Sequence, residues 1–309
     1  MATSGSIDFS ATRDDIITES LELLGVLGEG EAANTDQLTS CARSLNMLVK
    51  TWQAEGLNLF AMQQAYLFLE VDTSSYLLPG AHWTTSFSET TLAADAALGA
   101  STITVASAAN ISDADFIGIY QDGTMLWTTV NGAPAGAVVT LTDVLTAAAS
   151  SGAVVYSYTT AATRPMALLE AVVHQFNSTD LPIEIVSRQE YHYQPLKTTD
   201  GRVVEIYYDP QVAAGRLYVW PESDDPRNYL KINVQRTLDD LDDAADDVDF
   251  PQEWFLPLAY NLAMALIPKY GTDKQRAAQI GSLATHWYDM ALGFDREQVS
   301  VMFAPHDRY

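Results

Sequence analysis

Basic residues are scarce in this sequence, in which 16 lysines and arginines stand against 40 aspartates and glutamates and the formal net charge is −24. A surface that binds nucleic-acid phosphates generally must be net basic, because it gains free energy by releasing counterions, so this function is excluded. The single cysteine, Cys41, excludes a disulfide framework and a cysteine-rich metal site. No apolar run reaches the roughly 18 residues of a membrane-spanning helix, so we expect no membrane partner.

The composition is otherwise that of a folded protein. Of the 309 residues, 48% are hydrophobic and 10% are aromatic, which is too many for a disordered acidic chain. This length corresponds to one large domain or two ordinary ones.

Catalytic motifs are also missing. The sequence has no GxxxxGK(S/T) phosphate loop, no GxSxG nucleophile and no HExxH zinc motif. The five histidines are scattered, whereas a zinc site needs convergent ligands. We therefore expect no catalytic residue, no metal site and no cofactor, and we do not expect an enzyme.

One acidic run stands out in the second half of the chain. It contains Asp239, Asp240, Asp242, Asp243, Asp246, Asp247 and Asp249. A calcium loop needs a central glycine and a terminal bidentate glutamate, and this run has neither. The run predicts a solvated loop, or an electronegative wall that faces an anion.

Four segments have apolar residues at helical spacing, and we predict helices near residues 13–28, 35–56, 252–270 and 273–294. The expected core stripes are Ile16, Ile17, Leu21, Leu24 and Leu27 in the first, Leu38, Cys41, Leu45, Leu48 and Trp52 in the second, Phe255, Leu258, Leu262, Ala265 and Leu266 in the third, and Ile280, Leu283, Trp287, Met290 and Phe294 in the fourth.

The middle of the chain has a different composition. No lysine or arginine occurs in residues 51–163, and short apolar runs alternate there with turn signals such as Asp122-Gly123. These features predict a small antiparallel β domain inserted at residues 80–160. Strand patterns at 203–208, 216–220 and 229–235 predict a second short β region.

The expected fold class is therefore α+β, with a mainly helical bundle core. Residues 1–79 and 161–294 are expected to form this core together with the second β region. Residues 80–160 form the inserted β domain, and residues 295–309 form a C-terminal tail.

Several segments, taken in order, resemble the head-to-tail adaptors of short-tailed bacteriophages, also called packaged-DNA stabilisation or tail accessory proteins. These segments are Asp15-Ile16-Ile17-Thr18, residues 24–31, Ser44 to Leu48 with Trp52, residues 207–210 and 217–221, residues 250–254, residues 260–263 and Lys269-Tyr270-Gly271. The resemblance covers about two thirds of the chain, and the insert at 80–160 departs from it.

The resemblance implies a structural virion protein made in the host cytoplasm. Such proteins form a ring, typically of twelve copies, between the portal protein and a tail hub or nozzle, and packaged DNA passes through without specific binding. Twelve copies at −24 each would carry a charge of about −290, which would repel DNA within a Debye length of ~8–10 Å. Asp239, Asp240, Asp242, Asp243, Asp246 and Asp247 would then face the channel.

The tail, residues 296–309, carries apolar residues although a terminus is usually polar. The resemblance implies that it binds the portal through Met302, Phe303, Arg308 and Tyr309. Two other functions stay open. One is a tail-associated cell-wall glycan hydrolase, and the other is a carbohydrate-binding or receptor-binding module that uses the insert with Trp83 and Trp127.

Overall fold

The computed structural model describes residues 9–55, 59–177 and 179–295. The chain divides into two compact units. We call the first, Met1–Ala61 with Leu238–Tyr309, the helical unit, and the second, Met62–Thr237, the β unit.

In the described residues the α-helices are α1 (Arg13–Leu24), α2 (Thr35–Glu55), α3 (Arg188–Tyr193), α4 (Phe255–Tyr270) and α5 (Lys274–Phe294), with short 3-10 helices at Leu59–Ala61 and Gln252–Trp254. The strands are β1 (Met62–Phe68), β2 (Ser75–Leu78), β3 (Trp83–Thr84), β4 (Ser88–Thr91), β5 (Thr102–Thr104), β6 (Phe116–Gln121), β7 (Thr124–Thr129), β8 (Val138–Thr140), β9 (Val154–Tyr158), β10 (Ala167–His174), β11 (Asp180–Ile185), β12 (Asp200–Gly201), β13 (Glu205–Asp209), β14 (Gly215–Trp220), β15 (Glu222–Ser223) and β16 (Tyr229–Gln235). None of these helices is long and apolar enough to cross a membrane.

Local sequence signals fix the ends of the long helices. At the start of α1, the Thr12 hydroxyl accepts a hydrogen bond from the Asp15 N–H, and the Asp15 carboxylate accepts one from the Thr12 N–H. Hydrogen bonding to Thr12 holds the pKa of Asp15 below its usual value. Gly25 ends α1 with φ at 74°, and Asp273 caps α5 by accepting from the N–H groups of Gln275 and Arg276.

The stripes predicted for α1, α2 and α4 form most of the core of the helical unit. All five residues of the first predicted stripe are buried, although Leu27 lies beyond the end of α1, and so are Cys41, Leu45, Trp52, Phe255, Leu258, Leu262 and Leu266. Trp52 lies at the centre of an aromatic cluster, with ring centroids 5.7 Å from Trp254 and 4.9 Å from Tyr288. Ala265 is exposed, contrary to the predicted stripe.

The stripe predicted for α5 is wrong. Ile280 is buried as expected, but Leu283, Met290 and Phe294 are exposed. The other buried residues of this helix are Ala284 and Ala291. The helix is apolar on two faces: Ile280, Ala284 and Ala291 are buried in the core, while Leu283, Met290 and Phe294 lie on the exposed face.

A sheet of eight strands forms the centre of the β unit, in the order β2-β14-β13-β11-β10-β16-β1-β3. Its strands are antiparallel except for the parallel pair β11 and β13. The two edge strands, β2 and β3, are separated by only residues 79–82, so the edges lie near each other and the sheet is nearly closed.

The chain between β3 and β10 forms a second β structure. It contains a four-stranded sheet in the order β4-β9-β6-β7 and a two-stranded sheet of β5 and β8, around its own apolar core. Asp122 and Gly123 join β6 to β7 as predicted, both with positive φ. An aromatic layer that includes Phe68 and Tyr229 of the large sheet packs against Tyr156 and Tyr158 of β9.

The expected fold class, a mainly helical bundle, is wrong. Strands contain 31% of the residues and helices 28%. The apolar stretch after Arg164, for which the sequence predicts no element, forms β10 at the middle of the large sheet. Together with β2 and β11, it joins the strands predicted at 203–208, 216–220 and 229–235 into one sheet. The periodicity of a single segment cannot predict which strands pair with each other. The predicted domain boundaries remain predictions.

Candidate functional site

The outer face of α5 carries several large apolar side chains that are exposed. Leu283, Met290 and Phe294 are 37%, 54% and 74% exposed, and Trp287 lies half-buried between them. Spacings of four, three and four residues put these side chains on one helix face. At about 1.5 Å per residue the stripe is roughly 16 Å long. We call these four residues the α5 stripe.

The indole N–H of Trp287, in this stripe, lacks a hydrogen-bond acceptor in the part of the chain that the structure describes. Its Nε1 atom is buried. A buried N–H of this kind usually finds a partner. A second molecule that covers the α5 stripe could supply the missing carbonyl or carboxylate oxygen.

A second apolar surface lies where the segment before α1 meets the start of α4. It is a groove of about 310 Å³, lined by Phe9, Ile16, Phe255, Leu256 and Ala259 and rimmed by Asp15, Glu19 and Gln252. Phe9 is 69% exposed, although its ring centroid lies 5.8 Å from that of Phe255. We call this surface the Phe9 groove. Phe9 and Leu256 are its exposed apolar side chains, and such side chains suit a surface that receives another apolar side chain.

The acidic run is a loop that the helical unit holds in place. Leu238, Leu241 and Val248 are buried in its core, and the ammonium of Lys50 lies 2.7 Å from the Asp240 carboxylate. Arg13 donates to the carbonyl oxygen of Asp242. Of the six aspartates predicted to face a channel, Asp239, Asp240, Asp242, Asp243 and Asp247 are exposed and Asp246 is half-buried.

The geometry of this loop does not resemble a metal site. The Asp243 N–H donates to the Asp246 carboxylate at 2.7 Å, and the Asp239 N–H donates to Asp249. Among the described residues, no three carboxylates of the loop converge. The carboxylates that do converge belong to Asp72, Asp200 and Glu222 in the β unit.

The predicted portal-binding residues Met302, Phe303, Arg308 and Tyr309 lie outside the described residues. Their assignment remains a prediction.

Cys41 is a buried structural thiol, as its place in the α2 stripe predicts. It is fully buried, its sulfur lies 3.6 Å from the Tyr270 hydroxyl, and burial raises its pKa. Burial also raises the pKa of Tyr270 to about 12. Neither group is a reactive nucleophile at neutral pH.

The two tryptophans considered for sugar stacking are packed inside the β unit. Trp83 is fully buried, and its Nε1 donates to the Thr163 carbonyl. Trp127 packs against Phe68 and stacks on His82, and burial lowers the pKa of His82 to about 4. Both tryptophans therefore stabilise the fold.

A polar cavity of about 460 Å³ surrounds Arg227 in the β unit. The guanidinium donates to both oxygens of Asp225 and lies over the rings of Tyr120 and Phe176, 4.7 and 4.4 Å from their centroids. Burial opposes ionisation of Asp225, but the hydrogen bonds from Arg227 outweigh it and hold the pKa below its usual value. The arginine is thus already paired and is not a free anion-binding group.

Sequence reasoning missed the α5 stripe and the three converging carboxylates. The stripe had a signal, because α5 has more apolar residues than one buried face can use. The carboxylates had none, because they are far apart in the sequence and only the strand pairing brings them together.

Comparisons with known proteins identify no family. The chain matches no protein-family model and no curated protein. Among solved structures, it is similar over a small region to the Gp54 tailspike of the Acinetobacter baumannii bacteriophage AP22, solved in complex with A. baumannii capsular saccharide. The identity is 18%, the match covers 24% of this chain and 15% of the tailspike chain, and the TM-score is 0.20. Overlap of this extent does not establish a common fold.

Proposed function

We propose that this protein is a structural subunit of a tailed-phage virion that assembles into a ring at the head-to-tail junction. The observation that carries the proposal is the exposed α5 stripe. Large apolar side chains at helical spacing on a strongly acidic chain are typical of a protein–protein interface. The segments that resemble head-to-tail adaptors, most of which lie in the helical unit, agree with this function.

In a ring, each subunit contacts the next one with one surface and the previous one with another. Each subunit therefore needs two different surfaces that are complementary to each other. The α5 stripe and the Phe9 groove supply such a pair. We propose that the stripe of one copy occupies the groove of the next. Burying one large apolar side chain contributes roughly 1.5–3 kcal/mol, so Met290 and Phe294 would be the main anchors.

The aspartate loop fits the same function. In a ring its exposed carboxylates would line the DNA channel and repel the phosphates, so DNA could slide without being held. The tail beyond α5, with Met302, Phe303, Arg308 and Tyr309, would contact the portal protein.

Sedimentation velocity over a range of protein concentrations tests the assembly. The wild type should form species larger than a monomer as concentration rises, and Met290→Glu with Phe294→Glu should abolish them. Val212→Glu is the matched control, because Val212 is 98% exposed in the β unit and outside both surfaces. A wild type that stays monomeric at every concentration would contradict the proposal, and so would a double variant that associates like the wild type.

A second candidate is glycan binding by the β unit. The rings of Tyr207 and Tyr218 lie 5.6 Å apart with 14° between their planes, both are partly exposed, and Tyr193 nearby on α3 is 73% exposed. A tyrosine ring offers an apolar face and a polar hydroxyl, which suits a sugar that has an apolar face and hydrated hydroxyl groups. A glycan array tests this candidate. The wild-type protein should bind to it, and the double variant Tyr207→Ala with Tyr218→Ala should fold normally but no longer bind.

A further inference from the structure

Three carboxylates from distant parts of the sequence meet in the β unit. One oxygen atom from each of Asp72, Asp200 and Glu222 lies within 4.8 Å of the others. Backbone pairing fixes this arrangement. β12 and β15 are parallel with Asp200 opposite Glu222, and Val71 forms a parallel bridge with Ser223.

Glu222 is the key member of this cluster. It is 5% exposed, and its carboxylate makes no hydrogen bond or ion pair with any described residue. Burying an ionised carboxylate without a partner is costly, so such groups are normally paired or bind a metal. Its backbone N–H donates to the Thr199 carbonyl at 2.8 Å, which fixes the main chain of Glu222 beside that of Asp200.

The neighbours of Glu222 increase this cost. Asp72 and Asp200 also form no ion pair within the described ranges, and three like charges at this distance repel one another. The two aspartates are exposed, so the cluster is open to solvent on one side. A cation could therefore enter from water and keep some of its hydration.

We propose that Asp72, Asp200 and Glu222 bind one Ca²⁺ ion. Ligand sets made only of carboxylate oxygens select hard cations, and they do not favour zinc or copper. Ca²⁺ takes its oxygens at about 2.3–2.6 Å, so two of its ligands can be roughly 4.8 Å apart, the separation within which these oxygens lie. Mg²⁺ demands near-ideal octahedral geometry and usually keeps several waters, so three carboxylates from three different segments suit Ca²⁺ better.

The ion would join three segments that are otherwise held by few backbone pairs. These are the turn before β2, the two-residue strand β12 and the two-residue strand β15. Because β2 is an edge of the eight-stranded sheet, calcium would stabilise this edge. Calcium binding in the β unit does not depend on assembly through the helical unit.

Thermal unfolding of the full chain after EDTA treatment and dialysis tests this site, with CaCl2, MgCl2 or NaCl added at matched ionic strength. Calcium should raise the Tm by several degrees in a saturable way, magnesium should raise it less, and calorimetry should give one calcium site per chain. No calcium-dependent shift, or a larger shift with magnesium, would overturn the assignment.

Three single substitutions separate this site from diffuse binding to an acidic protein. Glu222→Gln and Asp200→Asn should both abolish the calcium shift. In EDTA the Glu222→Gln protein should be at least as stable as the wild type, because it no longer buries an unpaired charge. Asp242→Asn removes one charge from the aspartate loop and should keep the full shift. An equal calcium shift in all four proteins would rule out the site.

Discussion

The imidazole of His82 lies flat against the indole of Trp127, with ring centroids 3.9 Å apart and 13° between the planes. His82 belongs to the turn between β2 and β3, and Trp127 belongs to β7 of the inserted sheet. Its Nδ1 lies 3.0 Å from the Tyr158 hydroxyl. The pair connects the turn beside the eight-stranded sheet to the four-stranded sheet through a neutral, half-buried histidine.

This burial predicts acid sensitivity of the β unit. Burial lowers the pKa of His82 from 6.5 to about 4. Between these pH values the unfolded chain binds a proton that the folded chain does not, so the free energy of unfolding falls as pH falls, by up to about 3 kcal/mol. Urea unfolding at pH 7.5 and pH 4.5 should show a larger loss for the wild type than for His82→Gln. Equal losses in the two proteins would show that His82 is not responsible.

Trp52 should be the most sensitive single position in the helical unit. It is 6% exposed and contacts Trp254, Phe250 and Tyr288. Trp52→Ala should lower the free energy of unfolding by ~3–5 kcal/mol, because it leaves a large cavity. Met47→Ala on the same helix, at a side chain that is 56% exposed, should change it by less than about 0.5 kcal/mol. A near-wild-type denaturation midpoint for Trp52→Ala would be inconsistent with this core.

Gly118 should not tolerate a side chain. A Cβ at this position on β6 would lie 2.7 Å from the ring of Trp127 on the paired strand. Gly118→Ala should therefore cost about 1–3 kcal/mol of stability through overpacking. Gly281→Ala, at an open position on α5, should instead stabilise the protein by roughly 0.5–1 kcal/mol. If calorimetry gave the two variants the same Tm change, the close packing of Trp127 on β6 would be wrong.

The sequence was sufficient to locate elements whose signals are local. The helix starts near Arg13 and Asp273, most of the stripe of α2 and the hairpin at Asp122-Gly123 follow from neighbouring residues, and the structure confirms them. The large sheet could not be predicted in this way. β10 pairs with β16 about 60 residues later, and the hydropathy pattern of a strand does not specify the strand with which it pairs.

Of the candidate sites, too, the sequence predicts those with a local signal and not those formed by distant residues. The aspartate loop is visible as a run of one residue type, and its lumen-facing role remains a prediction. Large apolar side chains at helical spacing predict that the α5 stripe lies in the core, but Ile280, Ala284 and Ala291 are the residues of this helix that are buried. Asp72, Asp200 and Glu222 have no common sequence pattern, and only the backbone pairing of β12 with β15 reveals them.

Self-association should be stronger at high salt. Each chain carries a net charge of −24, so neighbouring copies repel one another while the proposed contact between them is apolar. Raising ionic strength from 0.1 M to 1 M shortens the Debye length from about 10 Å to about 3 Å and screens this repulsion. The apparent dissociation constant from sedimentation equilibrium should fall with added NaCl. Weaker association at high salt would indicate a contact made by ion pairs instead.

Mixing two defective variants tests the proposed assembly most directly. Met290→Glu with Phe294→Glu removes the α5 stripe but keeps the groove, and Phe9→Glu with Leu256→Glu removes the Phe9 groove but keeps the stripe. Each protein alone should be monomeric. Because one intact surface of each kind remains in the mixture, native mass spectrometry should detect a one-to-one heterodimer and nothing larger. A mixture that stays monomeric, while the wild type assembles, would contradict the pairing of the α5 stripe with the Phe9 groove.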